Sequence, residues 1–333
     1  VGDDLIANRI VEWVRDDGAT VVVSGGTGSR EFLPQDASYI VADGTIRARI
    51  RLIAAIMSAD YILIGGGGLL DDRSPSFFRP YARVAQLARV LRKPYSLVAV
   101  GVGPIRHATT AQQYRKIADG ARAVLVRDSE SAERLRECGV TRAVDVVSDP
   151  ALWRSVQRAG EIPRFDAAVN LRCWEDREGR ITGLFRGGLE GIVNEVAEAL
   201  NQVYSADSSI ALVSMSCLDG DDDSVALDLL DAKLDAITSK FYDCSLESVE
   251  SVVSSSRQVI SMRLHLCLIG VASGKPVVGI GYDPKIAQQG GIYGFRVVEL
   301  DGSFSSHRVS GAITEPFDSF DQSVQVVKPG NLV

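Results

Sequence analysis

The chain has 333 residues, 46% of them hydrophobic and 24% charged, an ordinary globular composition. Its net charge of −7 leaves no overall basic footprint for nucleic acid, so any cationic chemistry has to be local. No run approaches about 18 consecutive apolar residues, so no membrane-spanning helix is expected.

The first residues, "VGDDLIANRI", read as helix, with no Met and no signal-peptide pattern; part of the N-terminal sequence is expected to precede this numbering. From there, short β-branched runs ending in Gly, Asp or Ser alternate with longer runs of helical period. The predicted strands are 20–25, 61–66, 95–101, 123–128 and 143–149. Between them lie helices at 46–59, with Ile46, Ile50, Ile53 and Ala54 as the expected core face, at 77–93, and at 129–139. A polar, Pro/Gly-punctuated stretch at 154–165 reads as a linker. The alternation then restarts: strand 166–172, a helix near 184–203, strand 209–216, helices after "DGDDDS" and from 245, strand 258–263, helix 264–273 and strand 276–282. Segment 303–333 has weak periodicity and is assigned no element. Apolar strands each followed by a helix predict α/β architecture: two tandem Rossmann-like, doubly wound domains, 1–155 and 156–333. Ligands of such sheets bind beyond the carboxyl ends of the strands, and two facing domains predict an interdomain cleft.

Several strand ends carry candidate chemistry. "IGGGGLLDD" (64–72) lacks the GxGxxG pattern; Gly65, Gly66, Gly67 and Gly68 fit either an anion-facing loop or a tight packing turn. "GGTGSRE" (25–31) fails the dinucleotide pattern too, and no Walker motif is present. "LDGDDDS" (218–224) lacks EF-hand spacing and reads as acidic residues favouring a helix N-terminus. His107, His265 and His307 share no ligand spacing, so no metal is expected. The five cysteines, Cys138, Cys173, Cys217, Cys244 and Cys267, are odd in number and without CxxC spacing, which predicts reduced thiols in a cytoplasmic protein.

The stretch "SMRLHLCLIGVASGKP" (261–276) places an arginine and a histidine in apolar surroundings. Read as the end of a strand, Arg263 and His265 share one face and Leu264 the other. A buried arginine has to meet an anion or a carboxylate. Arg172 in "NLRCW" and Lys285 in "YDPKI" add two cations at strand ends of the same domain. Such a cluster suits a small, multiply charged anion; a structural Arg–Asp pair is the alternative.

At these residues the chain resembles the polysaccharide pyruvyl transferase family. The matching pieces are "GDDLI" (2–6), "YILIGGGGLLDD" (61–72), "GVGPI" (101–105), "RDSESAERLRECGV" (127–140), "SDPAL" (148–152) and "SMRLHLCLIGVASGKPVVGIGYDPKI" (261–286). The strand and Asn that precede "GD" in the family pattern are not in this sequence. The resemblance implies a fold like the two-domain GT-B glycosyltransferases. It also implies transfer of the three-carbon unit of phosphoenolpyruvate to a sugar, as a ketal bridging two hydroxyls, with release of phosphate and no cofactor. By motif, His265 is the catalytic residue, Arg263 with Leu264 beside it and Arg172 bind phosphoenolpyruvate with Lys285 assisting, and Asp3 with the glycine loop lies on the acceptor or anion side. Protonation of the methylene carbon of an enol ester creates cationic character at C2, and an imidazole suits that proton transfer.

A nucleotide-sugar glycosyltransferase and a non-catalytic sugar- or anion-binding protein share this fold, whereas the failed GxGxxG patterns argue against a nicotinamide-dependent dehydrogenase. The expected partners are phosphoenolpyruvate and a sugar, glycan or lipid-linked saccharide. The expected location is cytoplasmic, at the inner membrane face for a lipid-linked acceptor, with no evident amphipathic anchor. The sequence leaves the oligomeric state open.

Overall fold

The computed structural model describes residues 2–330, apart from 17, 26–36, 71, 73–74, 155–161, 173–186, 219 and 318–325. The chain divides into two compact units. One comprises Asp3–Trp153 with Gln325–Val333, the other Arg154–Val324 with Val1–Gly2.

The N-terminal unit runs α1 (Gly2–Asp16), β1 (Val22–Gly25), β2 (Ser38–Val41), α2 (Ile46–Ser58), β3 (Ile62–Gly65), α3 (Pro75–Val90), β4 (Tyr95–Val100), α4 (Ala108–Gly120), β5 (Val124–Val126), α5 (Ser129–Glu137) and β6 (Val144–Val146). Strands β3-β4-β5-β6 form a parallel sheet in that order, and β1 and β2 pair in parallel. All six residues of β4 are buried, as expected for a strand covered on both faces. On one face, Ile56, Phe78, Tyr114 and Leu135 from α2 to α5 pack on Ile64, Leu97 and Val124. On the other, Ile10 and Trp13 of α1 pack on Val98, Leu125 and Trp153, with the two indoles edge to face at 5.6 Å.

Helix α2 forms where its period predicts, behind a Thr45 cap, but turned the other way. Leu52, Ile56 and Ala59 face the core. Ile46, Ile50 and Ile53, the expected core face, are 76%, 62% and 43% exposed, and Ala54 is exposed as well. The helix is apolar on two opposite sides, and periodicity cannot say which one the sheet takes.

The C-terminal unit runs β7 (Phe165–Asn170), α6 (Gly188–Val203), β8 (Ser209–Val213), β9 (Cys217–Leu218), β10 (Asp221–Asp222), α7 (Asp223–Asp231), β11 (Ile237–Phe241), α8 (Leu246–Ser254), β12 (Ser256–Ser261), α9 (Leu264–Ala272), β13 (Val277–Gly281), α10 (Pro284–Tyr293), β14 (Arg296–Glu299) and α11 (Ser306–Thr314). Its six-stranded sheet is parallel throughout, in the order β11-β8-β7-β12-β13-β14. The strand order reverses between β7 and β12, the topological switch point at which doubly wound sheets open a crevice. Helix α11 lies in the segment to which the sequence assigned no element.

Two expectations are overturned here. Cys217 and Cys244 form a disulfide; Cys138 and Cys267 are free, and Cys173 lies outside the described residues. The pair is 27 residues apart in sequence. Pairing of β8 with β11 brings the segments beyond their ends, and thus the two cysteines, together. The second concerns β12, which stops at Ser261, short of Arg263 and His265.

Candidate active site

β7 ends at Asn170 and β12 at Ser261, and these two residues are register partners across the switch point. The Ser261 hydroxyl accepts the Arg263 N–H at 2.9 Å and donates to the Arg263 carbonyl at 3.0 Å. That local loop breaks the ladder, and α9 begins with Arg263 as its N-cap in extended conformation. His265 is therefore the second residue of a helix, so the shared strand face assumed for Arg263 and His265 does not exist. The arginine is placed by the turn and the imidazole by the first turn of α9. Leu264 is buried, and so are Leu266 to Val271 behind it. His265 is half-buried among these neighbours.

Arg263 reaches across to the acidic run after β8. Its Nε donates to both carboxylate oxygens of Asp223 at 3.1 Å, its Nη2 to Asp223 Oδ1 at 2.6 Å, and its Nη1 to Asp221 Oδ2 at 3.1 Å. Asp223 is fully buried; it also accepts from Asn170 Nδ2 and the Met215 N–H, both at 3.0 Å. Its buried oxygens are thus satisfied by Arg263, Asn170 and the Met215 N–H. Burial disfavours the guanidinium charge, but the two carboxylates outweigh it and push the Arg263 pKa above its ordinary value.

Arg172, two residues past β7, donates from Nε to Asp221 Oδ1 at 2.8 Å and from Nη1 to the Tyr282 hydroxyl at 2.6 Å. Asp221 thus bridges both arginines. Burial raises its pKa, yet the hydrogen bonds and charges of Arg172 and Arg263 prevail and hold it below the usual carboxylate range. Tyr282, just past β13, presents its ring to Arg172 at 5.2 Å and to Lys285 at 5.9 Å. Lys285 lies 3.9 Å from Asp283, whose carboxylate caps α10. The structure therefore gathers Arg172, Arg263 and Lys285 around Tyr282 and Asp221, all at the carboxyl edge of one sheet. The cations are matched by Asp221, Asp223 and Asp283, so the arginines are carboxylate-paired. Of these carboxylates Asp223 is sealed, whereas Asp221 is 30% exposed.

Sequence reasoning missed Asp221, Asp223, Tyr282 and Asn170. The signal was the run "DGDDDS". Asp222 does cap α7, accepting the Ser224 N–H at 2.9 Å, as an acidic residue at a helix start should. Its neighbours on either side turn to the arginines instead. The disulfide anchors the β9–β10 hairpin that carries Asp221 to the segment after β11.

The glycine loop of the N-terminal unit has a different character. A Cβ on Gly65 would lie 2.6 Å from the Val98 carbonyl, and Gly66 holds φ +86° against Ile6 of α1. The Gly66 N–H donates to the Val98 carbonyl, and α3 starts only at Pro75, so the loop does not sit at a helix N-terminus. Gly67 also has positive φ, whereas Gly68 faces open space. Packing and backbone conformation account for the first three glycines. The side chain of Asp3 lies outside the described residues. Nearby, Asp72 accepts the Arg106 and His107 N–H groups at 2.6 and 2.8 Å, the Thr110 hydroxyl at 3.1 Å, and lies 3.0 Å from His107 Nδ1. His107 is thus tethered at the start of α4 and not merely solvated.

Among the described residues no cluster of ligands could hold a metal ion, and no helix is long and apolar enough to cross a membrane.

The family model described as polysaccharide pyruvyl transferase matches residues 1–284. No curated protein matches the chain. Solved structures match over nearly its whole length. They include a putative UDP-N-acetylglucosamine 2-epimerase from Listeria monocytogenes, with 13% identity and TM-score 0.63, covering 99% of this chain and 90% of that one. Anabaena Alr3699/HepE in complex with UDP matches at 11% identity and TM-score 0.60, covering 98% and 90%. S. aureus MnaA with UDP matches at 12% and 0.62, covering 98% and 89%. These likenesses establish the α/β, GT-B-like fold and carry no substrate with them.

Proposed function

Because the chain belongs to the polysaccharide pyruvyl transferase family, we propose that it moves the three-carbon unit of phosphoenolpyruvate onto a saccharide, forming a pyruvate ketal and releasing phosphate. The observation that carries this reading is the pair of guanidinium groups, Arg172 and Arg263, converging on one exposed carboxylate at the switch point of the C-terminal sheet. Switch points are where doubly wound sheets bind ligands, and planar guanidinium groups match carboxylate and phosphate oxygens.

Asp221 stands where the donor's anionic groups would bind. In this reading an oxygen of the carboxylate or phosphate takes over its place on the two arginines. Asp223, buried beneath, stays and fixes the guanidinium plane of Arg263. Lys285 and Tyr282 border the same edge and complete the anion's surroundings. His265, as imidazolium, gives its proton to the methylene carbon, which becomes the methyl group. One sugar hydroxyl adds to C2; a second then displaces the phosphate at the same carbon. The two hydroxyls lose two protons, of which one balances the methyl group and the other leaves with inorganic phosphate. No redox step and no cofactor enters.

The test is incubation of the full chain with phosphoenolpyruvate and a panel of glycosides, reading released phosphate and product mass. A product heavier than the acceptor by the pyruvate ketal, formed with stoichiometric phosphate, is expected. Thermal stabilisation by nucleotide-sugars and none by phosphoenolpyruvate would instead assign a glycosyltransferase. Binding of phosphoenolpyruvate with no phosphate released on any acceptor would assign a binding protein. Asp221→Asn removes the internal competitor and should lower the KM for phosphoenolpyruvate severalfold.

A further inference from the structure

Helix α2 carries an outward apolar stripe that the described residues leave exposed. Ile46, Ile50, Ile53 and Met57 are 76%, 62%, 43% and 57% exposed, and at helical spacing they fall within an arc of about 60°. The stripe runs the length of the helix, about 20 Å. Arg49 borders it on one side, Arg47 and Arg51 on the other, and all three are exposed. A soluble helix needs one apolar face; this one has a core face and a second face of larger side chains on the solvent side.

The charge around it is segregated. Neither α2 nor α3 contains an acidic residue. Across residues 43–119 there are twelve basic residues to five acidic, in a chain whose net charge is −7, and Asp43, just ahead of α2, is the acidic residue that interacts with Arg51. α3 packs on the same side of the sheet as α2 and turns Arg79, Arg83 and Val90 outward, the last 72% exposed. Isolated surface leucines or isoleucines need no explanation, but a helix-long stripe framed by arginines is a binding surface.

We propose that this α2–α3 face docks on an anionic phospholipid surface, with the isoleucines and Met57 entering the headgroup–acyl boundary and the arginines meeting lipid phosphates. The chemistry selects this occupant. Apolar residues along a helix with flanking arginines, whose stems can follow them into the interface, are the pattern of a helix lying in the membrane plane. A two-fold contact between copies of the chain would set arginine against arginine over a wide area. A nucleic acid would leave the aliphatic stripe against phosphates. The inference does not rest on the proposed pyruvyl transfer, and either can fail alone.

The test is co-sedimentation of the full chain with phosphatidylcholine vesicles with and without phosphatidylglycerol, at low and high salt. Binding to the anionic vesicles, weakened by salt, is expected. Ile50→Asp/Ile53→Asp should lower partitioning about tenfold or more, with the melting temperature unchanged because both side chains face out. Neutralising Arg47, Arg49 and Arg51 as glutamine should cost about fivefold per residue, on anionic vesicles only. Wild-type binding retained by the aspartate variant, equal binding to neutral vesicles, or no vesicle binding at all would overturn the proposal. So would self-association in sedimentation velocity that the aspartate variant abolishes while vesicles leave it unaffected.

Discussion

Beyond β7 and β12 the C-terminal unit places Arg172, Arg263, Asp221 and Asp223 within direct hydrogen-bonding reach. Beyond β3 and β4 the N-terminal unit places glycines whose conformation is set by backbone and packing, with Asp72 bound by two backbone N–H groups and by the side chains of His107 and Thr110. Both edges belong to parallel, helix-covered sheets, so the fold by itself does not decide which edge does chemistry. The first is a charged surface with one sealed and one partly exposed carboxylate. The second is shaped by glycine backbone conformation and packing. The N-terminal unit has a strand-end arginine too: Arg127 lies 3.5 Å from Asp128 and 3.6 Å from Asp149. Both of those carboxylates are buried.

The contrast breaks most sharply at His265. If the C-terminal edge does the chemistry, His265→Ala should lower turnover by about a hundred- to ten-thousand-fold, the usual worth of a general acid, with the melting temperature little changed. Activity at the wild-type level would take the imidazole out of the reaction and shift attention to His107 in the other unit.

Asp223→Ala comes next and reads stability rather than rate. It strands the mostly buried Arg263 guanidinium and removes the acceptor of Asn170 Nδ2 and the Met215 N–H. The expected cost is about 3–5 kcal/mol by denaturant unfolding, as for other buried pairs cut on one side. A cost near that of a surface substitution would show that Asp223 does not hold the Arg263 guanidinium in place.

Much of this was legible in the sequence, for stated reasons. β-Branched runs marked β1, β3 to β8, β12 and β13 but not β2, β9, β10, β11 or β14, and the cations at 172, 263 and 285 were visible because charge at a strand end stands out. What escaped depended on contacts remote in sequence. The Cys217–Cys244 pair needs β8 beside β11, a neighbour relation that no spacing shows. The turn at Ser261 comes from one hydroxyl intercepting the next ladder N–H, and a residue-by-residue pleat argument runs straight through it. In "DGDDDS" the helix-dipole reading was right for Asp222 and hid its two neighbours. In α2, isoleucines and a leucine recur on two faces, and the sheet takes the one with Leu52 and Ile56 rather than the one with Ile46, Ile50 and Ile53.

Glycines test the N-terminal edge. Gly66→Ala forces a Cβ at φ +86° and against Ile6, and should cost about 1–3 kcal/mol in stability. Gly68→Ala has nothing within 4 Å and should melt like wild type. If the loop faces an acceptor, Gly68→Ala raises the acceptor KM and leaves the phosphoenolpyruvate KM alone. A change confined to phosphoenolpyruvate would reverse the roles of the two edges.

The smallest effect is in the acid limb of stability. Asp72 and Asp221 both titrate below the usual range in the folded protein. In each, burial opposes the charge but donors prevail: His107 with the Arg106 and His107 N–H groups for Asp72, Arg172 and Arg263 for Asp221. A carboxylate whose pKa falls on folding adds stability that is fully present above its unfolded value, about 3.9, and is lost as pH drops through the lower folded one. Between about pH 7 and 5 neither group should move the melting temperature; below about pH 4 both should. Asp72→Asn and Asp221→Asn should each flatten that limb, Asp221→Asn the less, because solvent reaches 30% of its side chain whereas that of Asp72 is fully buried. An equal or larger flattening from Asp221→Asn would mean that its bridge to the two arginines is as fixed as the Asp72 tether. The exchange of Asp221 for a substrate anion would then lose its physical basis.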